Sequence, residues 1–329
     1  MAERPSRFRA GRVVRIAVAA AFTAAIVALA ASTLSVESLS KAFSSVTLVP
    51  ALLALGAYVA VNTVRACRFL LSGARVPFRV LFCIAAVHSA LLRVMPLRSG
   101  ELAYGILLKR TGGGGFGAGV ATILMIRILD FATILPVGAA ILALGLVRAS
   151  SGLAIAAVVV AGVGLGALFF LLGPVSRAVA RFMSARSPDG FLARTASTLA
   201  ETYGLPLGRR VALMAITLGL WALILGWFFL SLYACGIRLG AVHGLVVGVL
   251  GVLGSTLPVS LVGTFGPMEG GIALGLAAVG HTPDAAAATA LVTSVLTFLA
   301  NWVLALPAWL VLVLSGALGG RGKETGSAR

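Results

Sequence analysis

Acidic side chains are scarce in this chain. Nine Asp and Glu stand against 26 Lys and Arg in 329 residues, and only 11% of positions are charged. Acid–base catalysis needs carboxylates or histidines converging at an aqueous face. The longest polar stretch, 173–210, holds only Asp189 and Glu201, far apart and without a motif. The chain is therefore expected not to be an enzyme, and that stretch is too short for a second soluble domain. Cysteine is equally sparse. Cys67, Cys83 and Cys235 have no CxxC or metal-ligand spacing, so they read as small apolar residues with free thiols. His88, His243 and His281 are scattered, and neither a metal site nor a cofactor is expected. Glycine-rich Thr111–Gly119 lacks the Lys-Ser/Thr pair of a phosphate-binding P-loop and reads as a flexible loop.

What is abundant is apolar. The chain is 60% hydrophobic with a mean hydropathy of +1.09, the composition of an all-α polytopic membrane protein. In a soluble protein a net charge of +17 would suggest nucleic acid. In a membrane protein it reads as basic loops facing an anionic leaflet, with no nucleic-acid partner.

Apolar runs and breaks divide the chain. Residues 1–12 are a basic cytoplasmic N-terminus. The run 13–32 is long for a signal peptide and reads as an uncleaved first span. The first membrane repeat, 13–147, holds spans 13–32 and 45–67, a re-entrant hairpin 78–108 and span 120–147. The second, 153–314, holds spans 153–172 and 211–232, a re-entrant hairpin 242–280 and span 285–314. Between the first two of those spans, 173–210 is a cytoplasmic loop whose start is amphipathic: Val175, Val179 and Phe182 oppose Arg177 and Arg181. Residues 315–329 form a polar tail. Twenty Lys/Arg then fall on the cytoplasmic side, counting Arg65 and Arg68 as loop residues, against Lys41, Arg148 and Arg238 outside. That bias places both termini in the cytoplasm.

With that orientation the two halves have one order and opposite directions: six full spans plus two re-entrant hairpins in an inverted-topology repeat. Each hairpin breaks at Pro and Gly. The first breaks at Pro96 and Gly100, the second at Pro258, Gly263, Gly266, Pro267 and Gly270. A carboxylate follows each break, Glu101 in one and Glu269 in the other. Broken backbone at membrane depth is tolerated only where protein or water surrounds it.

Charge inside lipid is costly and marks function by default. The candidate translocation residues are Arg98, Glu101, Arg127, Asp130 and Glu269. Arg98 with Glu101, and Arg127 with Asp130, are three apart and share a helix face. Arginines would hold a phosphate while the carboxylates take up protons or contact an amine. Structural ion pairs that pin the hairpins to the spans are the other reading.

The motifs Met-Pro-Leu-Arg-Ser-Gly-Glu101, Ile-Arg127-Ile-Leu-Asp130, Leu257-Pro258 and Gly263-Thr-Phe-Gly-Pro-Met-Glu269 resemble the flippase-like transmembrane family of lysylphosphatidylglycerol synthases. The resemblance covers about Val13 to Leu314. Ile126 stands where that family commonly has Glu, Phe265-Gly266-Pro267 replaces a smoother glycine run, and an arginine common near Ser294 is absent. The resemblance implies movement of a phospholipid, modified phospholipid or polyprenyl phosphate between leaflets of a bacterial inner membrane. Its partners would then be lipids with anionic or zwitterionic headgroups. An alternative is a non-catalytic subunit that serves a glycosyl-, acyl- or aminoacyl-transferase. A homo-oligomer and a membrane-enzyme partner both stay open.

Overall fold

The computed structural model describes residues 35–95, 99–146, 151–186, 196–197, 200–201, 204, 206–256 and 266–319. The expected span 13–32 lies outside these, as do Pro96, Arg98, Pro258 and Gly263. The described residues form ten α-helices. In chain order these are α1 (Val36–Ser44), α2 (Leu48–Leu71), α3 (Phe78–Val94), α4 (Glu101–Arg110), α5 (Phe116–Gly145), α6 (Ser151–Arg186), α7 (Leu207–Ala234), α8 (Ala241–Thr256), α9 (Pro267–Ala278) and α10 (Pro283–Leu314), followed by a 3₁₀ turn at Ala317–Gly319.

Four helices, α2, α5, α7 and α10, are long and apolar enough to cross a bilayer. Their sidedness is the reverse of a soluble bundle. In α10 the buried face carries Thr293, Ser294, Thr297 and Asn301, all 3% exposed or less, while Leu299, Val303, Leu306 and Leu310 are each more than half exposed. Buried hydroxyls and amides need partners. Thr297 donates to the Thr293 carbonyl and Asn301 to the Thr297 carbonyl, both at 2.8 Å. Leucines turned outward cost nothing where the surroundings are hydrocarbon.

Proline and glycine decide where α3 stops and where α4 and α9 start. Met95 has φ −75°, ψ 131°, because the ring of a following proline disfavours helical backbone in the residue before it. The chain re-enters helix after Gly100, where a Cβ would lie 2.7 Å from the Leu91 carbonyl oxygen. No side chain fits between α3 and α4 at that point. In the second half α9 begins with Pro267 at its first position, where the missing N–H costs nothing. It is capped by Gly266 at φ 100°, a backbone conformation that favours glycine.

Length order and packing repeat. A long helix, two short ones and a long one (α2–α5) are followed by the same order in α7–α10. The packing survives exchange of the two sets. α3 packs on α10 as α8 packs on α5, α5 touches α7 as α10 touches α2, and α2 and α7 pack on each other. α2 and α7 are antiparallel. At one end the Arg209 guanidinium donates to the Leu70 carbonyl, and at the other Thr47 N–H donates to the Ala234 carbonyl at 2.9 Å.

Five sequence expectations are corrected. The stretch around Glu37 and Lys41, which the expected spans 13–32 and 45–67 leave between them as a connection, is helix α1, tied to α10 by Ser35 and Ser38 donating to the Asp284 carboxylate. Span 45–67 continues as helix to Leu71, so Arg65 and Arg68 are not loop residues. Residues 173–186 are not a separate loop, because α6 runs unbroken through Pro174 to Arg186. Its Val175, Val179 and Phe182 remain exposed. Gly270 is no break; it lies within α9. The tail begins with a packed turn, since Ala317 and Leu318 lie against the core of the first half.

Candidate functional site

The charged residues meet between the two helix sets. Each arises from an ordinary helical repeat. Tyr58, Asn62, Arg65 and Arg68 recur at four, three and three positions along α2, and Ser89 and Arg93 are four apart on α3. The two stripes face each other. Arg65 donates to Ser89 Oγ at 2.7 Å, and Ser89 Oγ donates to Asn62 Oδ1 at 3.1 Å.

Asp130 on α5 is buried. Its first partner is Arg68, at 2.8 Å, with side chains 3% and 11% exposed. Arg68 also donates to the Ile126 carbonyl at 3.3 Å. Arg127, the partner that the i,i+3 spacing predicts, is 3.5 Å from Asp130. It makes a shorter contact, 3.0 Å, with Glu101 in the first turn of α4, where both side chains are about a quarter exposed. Glu101, Arg127, Asp130 and Arg68 thus form one chain of alternating charge that ties α4, α5 and α2 together.

Glu269 is held differently. It accepts from its own N-cap, Gly266 N–H, at 2.6 Å and from the hydroxyl of Ser294, which is fully buried on α10. No arginine among the described residues pairs with it within 4 Å, but its charge acts through space on Arg93, which is 8% exposed. Arg93 Nη2 instead donates to Met268 Sδ at 3.1 Å, and its Nη1 has no hydrogen-bond partner among the described residues.

Two adjoining cavities lie among these groups. One of about 140 Å³ is lined by Arg65, Arg93 and Arg127 with Tyr58, Trp221, Trp227 and Asn301. The other, about 80 Å³, shares Arg65, Arg127 and Trp221 and adds Arg68, His88 and Asp130. Trp221 lines both and is buried, with its Nε1–H unpartnered among the described residues. Of the sequence-predicted residues, Arg127 and Asp130 line the cavities, Glu101 braces Arg127, and Glu269 lies behind Arg93 and Met268. Arg65, Arg68 and Trp221 join the site unpredicted, and Arg93, a charge within an apolar run of the sequence, joins it without having been among the candidate translocation residues. The helical spacing on α2 was the available signal for two of them.

A profile of the family described as lysylphosphatidylglycerol synthase TM region matches residues 13–307. The chain belongs to that family. Lysylphosphatidylglycerol synthase TM regions are a membrane family linked to lipid metabolism or transport, and the chain is a multi-pass integral membrane protein. No curated protein matches the sequence.

Proposed function

We propose that the protein moves a lipid between membrane leaflets, passing its headgroup through the arginine-lined cavity while the acyl tails stay in hydrocarbon. The observation that carries this reading is the placement of Arg65, Arg93 and Arg127 around one cavity between two exchange-related helix sets. Guanidinium keeps its charge at any physiological pH and binds phosphate through paired N–H donors. It is a poor proton-transfer group, so the lipid leaves as it entered and the chain acts as a transporter rather than an enzyme. The barrier to unassisted flip-flop is the transfer of a charged headgroup through the apolar core, and a polar cavity at that depth lowers it.

The exchange relation is, in this reading, an inverted repeat about an axis in the membrane plane. α3 and α4, of 17 and 10 residues, rise about 25 and 15 Å. That is less than the roughly 30 Å hydrocarbon core, as expected of a hairpin that enters and leaves on one side. α8 and α9 would enter from the other. The end of the molecule at Arg75, Arg79 and Arg209 is basic, and the end at Ser35, Cys235 and Asp284 is not, which supports a cytoplasmic basic end in a bacterial inner membrane. With span 13–32 and α6 this makes six spans with both termini inside. Rocking of one set against the other would expose the cavity to each leaflet in turn.

The test is reconstitution. Purified protein in liposomes should speed the appearance of a labelled phospholipid or polyprenyl phosphate in the opposite leaflet, with or without a proton gradient. If no such lipid moves, the reading as a non-catalytic partner of a transferase takes its place.

A further inference from the structure

We infer that the cavity selects headgroups that are net anionic, seating a phosphate between Arg93 and Arg65 and excluding a headgroup that adds an amine to its phosphate. The inference rests on the transport reading for its purpose, but it concerns binding and is testable apart from movement.

The hydrogen-bond partners carry it. Among the described residues every carboxylate at the site is already engaged. Asp130 holds Arg68 and faces Arg127, Glu101 holds Arg127, and Glu269 holds Gly266 N–H and the Ser294 hydroxyl. The guanidiniums are not all engaged in this way. Arg68 and Arg127 have carboxylates within 4 Å. Arg65 donates to a neutral serine hydroxyl and Arg93 to a thioether sulfur, both weak acceptors beside a carboxylate or phosphate. Arg93 Nη1 and Trp221 Nε1 are buried donors that line the cavity and have no acceptor among the described residues. Among the described residues four arginines face three carboxylates, and the surplus charge and the unused donors line the same cavity.

A phosphate diester supplies what Arg65 and Arg93 lack there: negative charge and several charged acceptor oxygens. An ammonium supplies the opposite. It would bring donors where donors are already in excess, within reach of two guanidiniums of like charge. Of the cavity's neutral acceptors, Asn301 Oδ1 takes the Tyr58 hydroxyl, and the Ser255 and Thr256 hydroxyls, which donate to the Val252 and Leu253 carbonyls, carry no charge with which to hold an ammonium. One indole of the lining, Trp227, packs against Tyr58 at 5.2 Å and Phe228 at 5.0 Å between centroids.

Binding of dihexanoyl phosphatidylglycerol, dihexanoyl phosphatidylethanolamine and a short-chain lysylphosphatidylglycerol to the detergent-solubilised full chain tests this. The first has one negative charge, the second is zwitterionic, and the third adds two ammonium groups to its phosphate. Phosphatidylglycerol should bind at least tenfold tighter than either amine-bearing lipid. Arg93→Gln and Arg65→Gln should each remove most of that preference, and Arg93→Lys should keep part of it. Equal affinities in the wild-type chain, or a preference for an amine-bearing headgroup, would overturn the inference, and that comparison needs no variant to fold. The measurement is made without transport. A selective chain that moves no lipid would therefore sink the transport reading alone, and a chain that moves lipid but binds all three equally would sink the selectivity alone.

Discussion

Arg127 and Ser294 occupy one position in two copies of an arrangement. Each lies eleven residues into its long helix, from Phe116 to Arg127 in α5 and from Pro283 to Ser294 in α10. Each binds the first-turn carboxylate of the short helix before it, Glu101 or Glu269. In the first half that carboxylate has a guanidinium. In the second it has a hydroxyl and a backbone N–H, and its charge falls on Arg93 from the facing set. The two halves are therefore alike in backbone and unlike in charge, and the asymmetry puts the unneutralised arginines on one side of the cavity.

Asp130 and Glu101 should separate in a stability measurement. Asp130→Asn leaves Arg68 buried without its carboxylate, a loss of about 3–5 kcal/mol for a truly buried pair. The Glu101–Arg127 contact is about a quarter exposed on both sides, and Glu101→Gln should cost about 1 kcal/mol. Thermal unfolding in detergent should show a much lower midpoint for Asp130→Asn and a small shift for Glu101→Gln. Equal shifts would mean that Glu101 is as structural as Asp130.

Gly100 and Gly270, both expected from the sequence to break helix, are not equivalent, and alanine should tell them apart. At Gly100 a Cβ meets backbone at 2.7 Å, so Gly100→Ala must push α3 from α4 and should destabilise by about 1–3 kcal/mol. Gly270 lies inside α9 with nothing within 4 Å of its Cβ position. Gly270→Ala should be neutral or stabilising by up to about 1 kcal/mol. Yield of monodisperse protein and its unfolding midpoint read both. A damaging Gly270→Ala would restore that residue as a functional break.

Much of this site is legible in the sequence, and the part that is not has a physical reason. Glu101, Arg127, Asp130 and Glu269 are visible because charge inside an apolar run is costly and therefore conspicuous. Arg68 is not, because it lies one turn from the end of its helix, where a basic residue also reads as the start of a cytoplasmic loop. Its pairing with Asp130 spans 62 positions of chain, and local spacing nominates Arg127 in its place. Arg93 stands in the sequence as one charge in an apolar helix. That its neighbours are Met268 and Trp221 from the other half follows only from the packing of the two sets. The helix order was readable from proline and glycine, yet α1 was not, since nine residues with Glu37 and Lys41 look like a loop until Ser35 caps them.

Orientation can be checked with introduced thiols. The native Cys235 is a poor probe, being 3% exposed with its Sγ 3.5 Å from Thr293 Oγ1. Arg79 and Thr282 are exposed at opposite ends. In a chain freed of native cysteines, a membrane-impermeant maleimide should label Thr282→Cys in intact cells and Arg79→Cys only after permeabilisation. The reverse pattern would invert the topology and place the basic end outside.

Glu269→Gln is the sharpest test of how the charge asymmetry works. The amide oxygen of glutamine can still accept from Gly266 N–H or Ser294, so the cap on α9 is largely kept. What is lost is the negative charge acting on Arg93, and the cavity becomes more positive by one unit. An anionic headgroup should then bind more tightly and leave more slowly. The expected result is a split: affinity for phosphatidylglycerol rises and its rate of leaflet exchange falls, each by about tenfold, or ~1.4 kcal/mol. Transition between inward- and outward-facing states requires a ligand held neither too weakly nor too firmly, and Glu269 in this account sets that balance by weakening the grip of Arg93. A loss of affinity and rate together, with a lowered unfolding midpoint, would instead make Glu269 a structural cap.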